Sequence, residues 1–204
     1  MWDDVDKIVR KYIRLIIRKF RSLQNKSLVF DELNVMGSVD QTYQEANALC
    51  YKAFLEIVRV IYKRWIPDYG EEMFELWLLD RLEEYDPVTK YIWGNELDRK
   101  RARLVETVMA DILSGKTKSE TKKDIETALN YVNRQFRQTA DDIAADITLK
   151  AYEDMGVEKV KWITAQDEKV CEVCEPRDGR IYSLKDCPQW PAHYNCRCIL
   201  VNIK

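Results

Sequence analysis

Met155-Gly156-Val157-Glu158-Lys159-Val160-Lys161-Trp162-Ile163-Thr164 is the stretch at which this 204-residue chain changes character. Gly156 ends a long helical periodicity, and beyond it Val157, Val160, Trp162 and Thr164 interleave with charged and polar residues, as a half-buried strand requires. Arg180-Ile181-Tyr182 and Ile199-Leu200-Val201-Asn202-Ile203 read as two further short strands. Upstream of Gly156 the apolar residues recur at helical spacing. The predicted fold is therefore mainly α: an elongated body of about five long helices over residues 1–155, followed by a small β-rich module over residues 156–204.

Within the body, Val5, Ile8, Val9, Tyr12, Ile13, Ile16, Ile17, Phe20 and Leu23 form one apolar stripe, which predicts a helix over 4–24 with Asp3 or Asp4 near its N-cap. Its other faces carry Lys7, Arg10, Lys11, Arg14, Arg18, Lys19 and Arg21, which read first as a solvated face over a core stripe and alternatively as a basic surface for DNA, a membrane surface or an acidic partner. Residues 28–39, with Asn34, Gly37 and Ser38, read as a connection. A second helix follows over 41–65, with Cys50 on its apolar stripe, and Pro67 and Gly70 stop it. Residues 71–85 predict a third helix facing inward through Met73, Leu76, Trp77, Leu79 and Leu82. From Asp68 to Asp86 there are eight acidic residues and one Arg, so this segment complements the basic first helix within or between molecules. A fourth helix covers 96–113. A final helical region runs from Ser119 to Met155, with a break expected near Thr139. Ser114-Gly115-Lys116-Thr117 imitates a phosphate-binding loop, but Ala110 stands where that motif needs Gly and a helix precedes it instead of a strand. Gly115 is read as a helix C-cap.

Charge and composition exclude several functions. Lys and Arg number 33 against 35 Asp and Glu, so bulk charge cannot drive nucleic-acid binding. No apolar run reaches the roughly 18 residues of a membrane span. Met1-Trp2-Asp3-Asp4 lacks the basic and apolar regions of a signal peptide, which predicts a soluble protein in a reducing compartment. A single histidine, His193, rules out two-histidine metalloprotease and nuclease sites.

Five of the six cysteines lie in the last 34 residues, and the histidine sits among them. Cys171-Glu172-Val173-Cys174 has the spacing of a metal-binding knuckle, and His193-Tyr194-Asn195-Cys196-Arg197-Cys198 follows it. Cys171 and Cys174 supply one half of a tetrahedral zinc site, and His193 with Cys196 or Cys198 supplies the other. Residues 196 and 198 share a face of an extended strand, so periodicity does not choose between them. Cys187 lies between the halves without a partner at ligand spacing. A tail this small gains from a structural metal. No His-x-Glu motif accompanies the cluster, so the site reads as closed and structural, without catalysis. A zinc ribbon that binds nucleic acid is the alternative, using Arg177, Arg180, Lys185 and Arg197. Eight basic and seven acidic residues between Gly156 and Lys204 leave that surface nearly balanced.

The string Trp162-Ile163-Thr164-Ala165-Gln166-Asp167-Glu168-Lys169-Val170-Cys171-Glu172-Val173-Cys174, then Asp178-Gly179-Arg180-Ile181-Tyr182, then Trp190-Pro191-Ala192-His193-Tyr194-Asn195-Cys196-Arg197-Cys198, resembles the Mu F-like phage head morphogenesis family, the minor head proteins of tailed phages. The resemblance spans about residues 138–204. Ala144-Ala145-Asp146 stands where that family often has Ala-Arg-Thr-Glu, and Pro191-Ala192 where it often has Pro-Pro. The resemblance implies that Cys171, Cys174, His193 and the Cys196/Cys198 pair carry over as the metal set. It also implies a non-enzymatic head component acting near the portal in capsid assembly and DNA packaging or delivery. Its expected partners are portal and capsid proteins, with self-association and weak DNA contact. Its expected places are the virion and, during assembly, the host cytoplasm.

Overall fold

The stripe from Val5 to Leu23 becomes the buried face of α1 (Trp2–Lys26), where Ile16 and Phe20 are fully enclosed. Asp3 and Asp4 sit in its first turn, where their charge favours the positive end of the helix dipole. The computed structural model describes residues 2–26, 32–65, 72, 74–76, 78 and 93–203. Three more long helices follow among them: α2 (Glu32–Trp65), α3 (Trp93–Leu113) and α4 (Lys118–Asp154). Lys11 pairs with Glu56 at 2.8 Å and Lys19 with Glu45 at 3.0 Å, so α1 and α2 run antiparallel. These exposed pairs fix direction more than they stabilise. No described helix is long and apolar enough to cross a membrane.

α2 begins nine residues before the predicted 41. Asn34, Gly37 and Ser38 are helical, although each favours a turn; Val39 is buried and the Thr42 hydroxyl donates to the Ser38 carbonyl at 2.8 Å. Packing against α1 outweighs weak local propensity here. Likewise α4 continues unbroken through Thr139, because Thr139 and Ala140 lie on its buried face. Of the third predicted helix, residues 72, 74–76 and 78 are helical, but Leu76 is 61% exposed and Phe74 is the buried one, packed on Tyr62 at 5.1 Å. Met73, Trp77, Leu79 and Leu82 lie outside the described residues. Glu75 pairs with Arg59 of α2, and the rest of the acidic residues from Asp68 to Asp86, except Glu72, lie outside the described residues.

Gly115 turns α3 into α4 at φ 69°, a left-handed conformation that glycine adopts without strain. The Thr117 amide donates to Glu120 at 2.9 Å and starts α4. After Gly156, also left-handed, come three strands: β1 (Lys159–Ile163), β2 (Ile181–Ser183) and β3 (Ile199–Ile203). They form an antiparallel sheet in the order β2-β1-β3, with Val160 opposite Tyr182 and Trp162 opposite Leu200.

Two apolar cores result, and α4 serves both. Phe136, Ile143, Ala144 and Ile147 join the body core with Phe20, Phe54 and Ile57. Ala145 and Tyr152 join Val160, Trp162, Cys174, Trp190, Cys198 and Leu200 in the second core, and Trp65 of α2 packs against each. The core under the sheet is therefore completed by the end of α4, which supplies two of its eight buried residues.

One group on α4 makes stability depend on pH. Burial, with the negative charges of Asp142 and Asp6, pushes the Asp141 carboxyl up to about 7 against the opposing pull of Arg137. The folded state holds this proton more tightly than an unfolded chain, whose aspartates titrate near about 3.9. That contribution is present below about pH 4 and is lost as pH rises through about 7. Asp141→Asn is expected to match the wild type near pH 3, where the carboxyl is protonated in both states, and to exceed it at pH 8, by about 2–4 °C in Tm for each kcal/mol relieved. Equal melting temperatures at pH 8 would contradict this.

Candidate metal centre

Trp162 seats the module. It is fully buried on β1, and the Arg177 guanidinium lies 5.0 Å from its ring centre. Just beyond β1, the Thr164 amide and hydroxyl both donate to Asp178 Oδ1, at 2.8 and 3.0 Å, and hold that carboxyl below its usual range. The chain then turns at Gln166, and the Lys169 amide donates to Asp167 Oδ1 at 3.0 Å, which caps the entrance to the knuckle. Asp167 also accepts both guanidinium nitrogens of Arg197, one of them at 2.7 Å. The Arg197 hydrogen bonds are the main cause holding Asp167 down to about 2. This two-toothed contact ties the approach to the first knuckle directly to the second.

The first knuckle closes where the amides of Cys174 and Glu175 both donate to the Cys171 carbonyl, at 3.0 and 2.9 Å. Burial opposes the Cys171 thiolate, but hydrogen bonds from the Cys174 and Val173 amides and from the Cys174 thiol outweigh it and lower its pKa. Cys174 is itself buried, and burial raises it. In the second knuckle the Cys196 amide donates to the His193 carbonyl at 3.1 Å, around Asn195 at φ 58°. His193 Nδ1 lies 2.8 Å from the Tyr194 carbonyl. That carbonyl can only accept, so Nδ1 carries the proton and Nε2 presents a lone pair.

His193 Nε2 faces Cys171 Sγ at 3.0 Å and Cys174 Sγ at 3.1 Å. Cys174 Sγ lies 3.9 Å from Cys196 Sγ. Two donor groups overlap at Cys174: Cys171, Cys174 and His193, and Cys174, Cys196 and Cys198, each with its donor atoms within 4.8 Å of one another. A zinc tetrahedron with bonds of about 2.0 and 2.3 Å spaces its sulfurs by about 3.8 Å and sulfur from nitrogen by about 3.5 Å. The observed separations lie within about half an ångström of those vertices, and the donor set is the soft sulfur and imidazole kind that suits zinc. All five residues singled out in the sequence thus converge. Cys187, half-buried against the second core, joins neither donor group, and Cys50 is enclosed in the body.

Two supporting residues were not identified from the sequence. Trp190 Nε1 donates to the Cys198 carbonyl at 3.0 Å and holds the chain leaving the second knuckle. The Tyr152 hydroxyl donates to the Leu200 carbonyl at 3.0 Å, which pins β3 to α4. Tyr152 follows the helical stripe like any apolar residue, and its partner is 48 positions away, so local pattern carries no sign of it.

Residues 102–201 match the family of Phage Mu protein F like proteins, which bears out the resemblance over that segment and extends it upstream of 138 to include most of α3 and the start of α4. A Haemophilus influenzae protein described as an uncharacterized protein is 24% identical over 115 residues, covering 50% of this chain. The chain spans about a quarter of that relative's length, 26%. No solved structure matches.

Proposed function

We propose that this chain is a non-enzymatic minor head protein of a tailed phage. It acts beside the portal during capsid assembly and during DNA packaging or delivery, in the virion and, while heads assemble, in the host cytoplasm. The observation that carries this reading is the Mu F-like match over residues 102–201, which takes in most of α3, all of α4, β1 and β2, the start of β3 and both knuckles.

Cys171, Cys174 and His193, with Cys196 or Cys198, would hold a structural zinc. Its bonds would supply the folding energy that so small a module cannot draw from apolar burial. Three thiolates and an imidazole fill four positions and leave none open for a reacting water. Two nearby carboxylates are engaged as well: Asp167 is held by Arg197 and Asp178 by Thr164. The module would act as a clip that closes on the end of α4, and the long helices would offer their outer faces to portal, capsid or neighbouring copies.

The nucleic-acid ribbon is the weaker reading. Arg197 is committed to Asp167, and Arg177 lies over the Trp162 ring. Weak DNA contact is better assigned to α1, where Arg14, Arg18 and Arg21 are exposed one turn apart.

Co-purification with the portal protein of the same phage tests the proposal. Saturable binding at micromolar concentration is expected from the full chain. A chain that ignores its portal under those conditions would sink the assignment.

A further inference from the structure

We infer that Cys196, and not Cys198, is the fourth ligand, so that the site consists of two knuckles of one design, Cys171-x-x-Cys174 and His193-x-x-Cys196. This rests on the metal reading above and goes further, by resolving a choice that strand periodicity leaves open.

The two knuckles match in backbone geometry. In each, the amide of the fourth residue donates to the carbonyl of the first: Cys174 to Cys171 at 3.0 Å and Cys196 to His193 at 3.1 Å. Such a turn brings the first and fourth side chains to the same side, which lets both donate to one ion. The tie between residues 196 and 198 arises only if both lie on an extended strand, and they do not. β3 starts at Ile199, and Asn195 in its left-handed conformation makes Cys196 the closing residue of a turn. The Cys174–Cys196 separation of 3.9 Å also falls on the edge of a zinc tetrahedron, about 3.8 Å.

Cys198 has a different setting. It is 4% exposed and packs with Trp162, Trp190 and Leu200, while its carbonyl accepts from Trp190. Its thiol reaches Cys174 and Cys196 from this packed side, where it can serve as a hydrogen-bonding neighbour of the ligand sulfurs. Cys196 instead borders a cavity of about 530 Å³ that is also lined by Asn195, Arg197, Asp6 of α1 and Asp141 of α4. A small reagent approaching through that cavity reaches Cys196 and not Cys198.

The first test loads cobalt(II) into the full-length wild type, Cys196→Ala and Cys198→Ala, and reads stoichiometry and the thiolate-to-metal charge-transfer absorption. Cys198→Ala is expected to bind one ion per chain with the wild-type band. Cys196→Ala should lose part of the band and bind at least about tenfold more weakly, as loss of a direct ligand costs no less than loss of its hydrogen-bonded support. A band diminished in Cys198→Ala, alone or equally in the two variants, overturns the assignment while leaving metal binding intact. A wild type that takes up no cobalt or zinc takes down the metal reading itself. Alkylation mapped by mass spectrometry keeps the test open if Cys198→Ala fails to fold. In the wild type, iodoacetamide should label Cys196 when the metal is stripped and spare it when zinc is bound. Labelling of Cys196 at one rate in both states would count against the inference.

Discussion

Cys171→Ser with Cys174→Ser is expected to abolish metal binding and to expose residues 156–204 to protease while the α1–α2 core stays folded. Cys174 touches both donor groups, so its loss dismantles each of them, and Cys171 supplies the thiolate that the knuckle amides favour. Structural zinc sites contribute on the order of 10 kcal/mol to the folding of small modules. The sheet has three short strands and a core of eight buried residues, two of them borrowed from α4, so it has little with which to replace that contribution. The body core rests on interlocked side chains from α1, α2, α3 and α4 and should persist. Limited proteolysis followed by mass spectrometry reads this directly: a stable fragment ending near Gly156 is the expected product. An intact, protected tail in the double variant would show that the sheet stands without its knuckle.

Trp162→Ala has the second largest expected effect. Trp162 is a fully enclosed tryptophan of the module, opposite Leu200 on β3 and in one core with Cys174, Trp190 and Cys198. Truncating such a residue costs about 3–5 kcal/mol, part of it from a cavity that the neighbours fill poorly. Because Cys174 and Cys198 pack in the same core, the loosening should also weaken metal retention. Urea unfolding followed by tail-specific proteolysis should show the transition at a clearly lower midpoint. A shift of less than about 1 kcal/mol would mean that Trp162 is not the seat of the module.

Much of this was legible in the sequence, for reasons that differ by element. The stripe from Val5 to Leu23 announces α1 because every third or fourth residue is large and apolar. Gly115 and Gly156 mark helix ends because they supply the left-handed turn that ends a helix. The cysteine and histidine cluster is legible because knuckle spacing is a local, covalent property of the chain. What escaped depends on contacts remote in sequence. Asn34, Gly37 and Ser38 look like a loop until α1 is laid beside them, and Thr139 looks like a break until its buried face is known. The pairing of β3 with Tyr152 and the clamp of Arg197 on Asp167 each join residues tens of positions apart. The choice between Cys196 and Cys198 turns on the conformation of one asparagine, which strand periodicity treats as interchangeable with any other residue.

The measurement that tests the central claim most directly is elemental analysis of the full chain purified without chelator, beside the Cys171→Ser, Cys174→Ser double variant. The account predicts one zinc per wild-type chain and none in the variant. A wild type folded and protease-resistant through residue 203 but free of metal would contradict it.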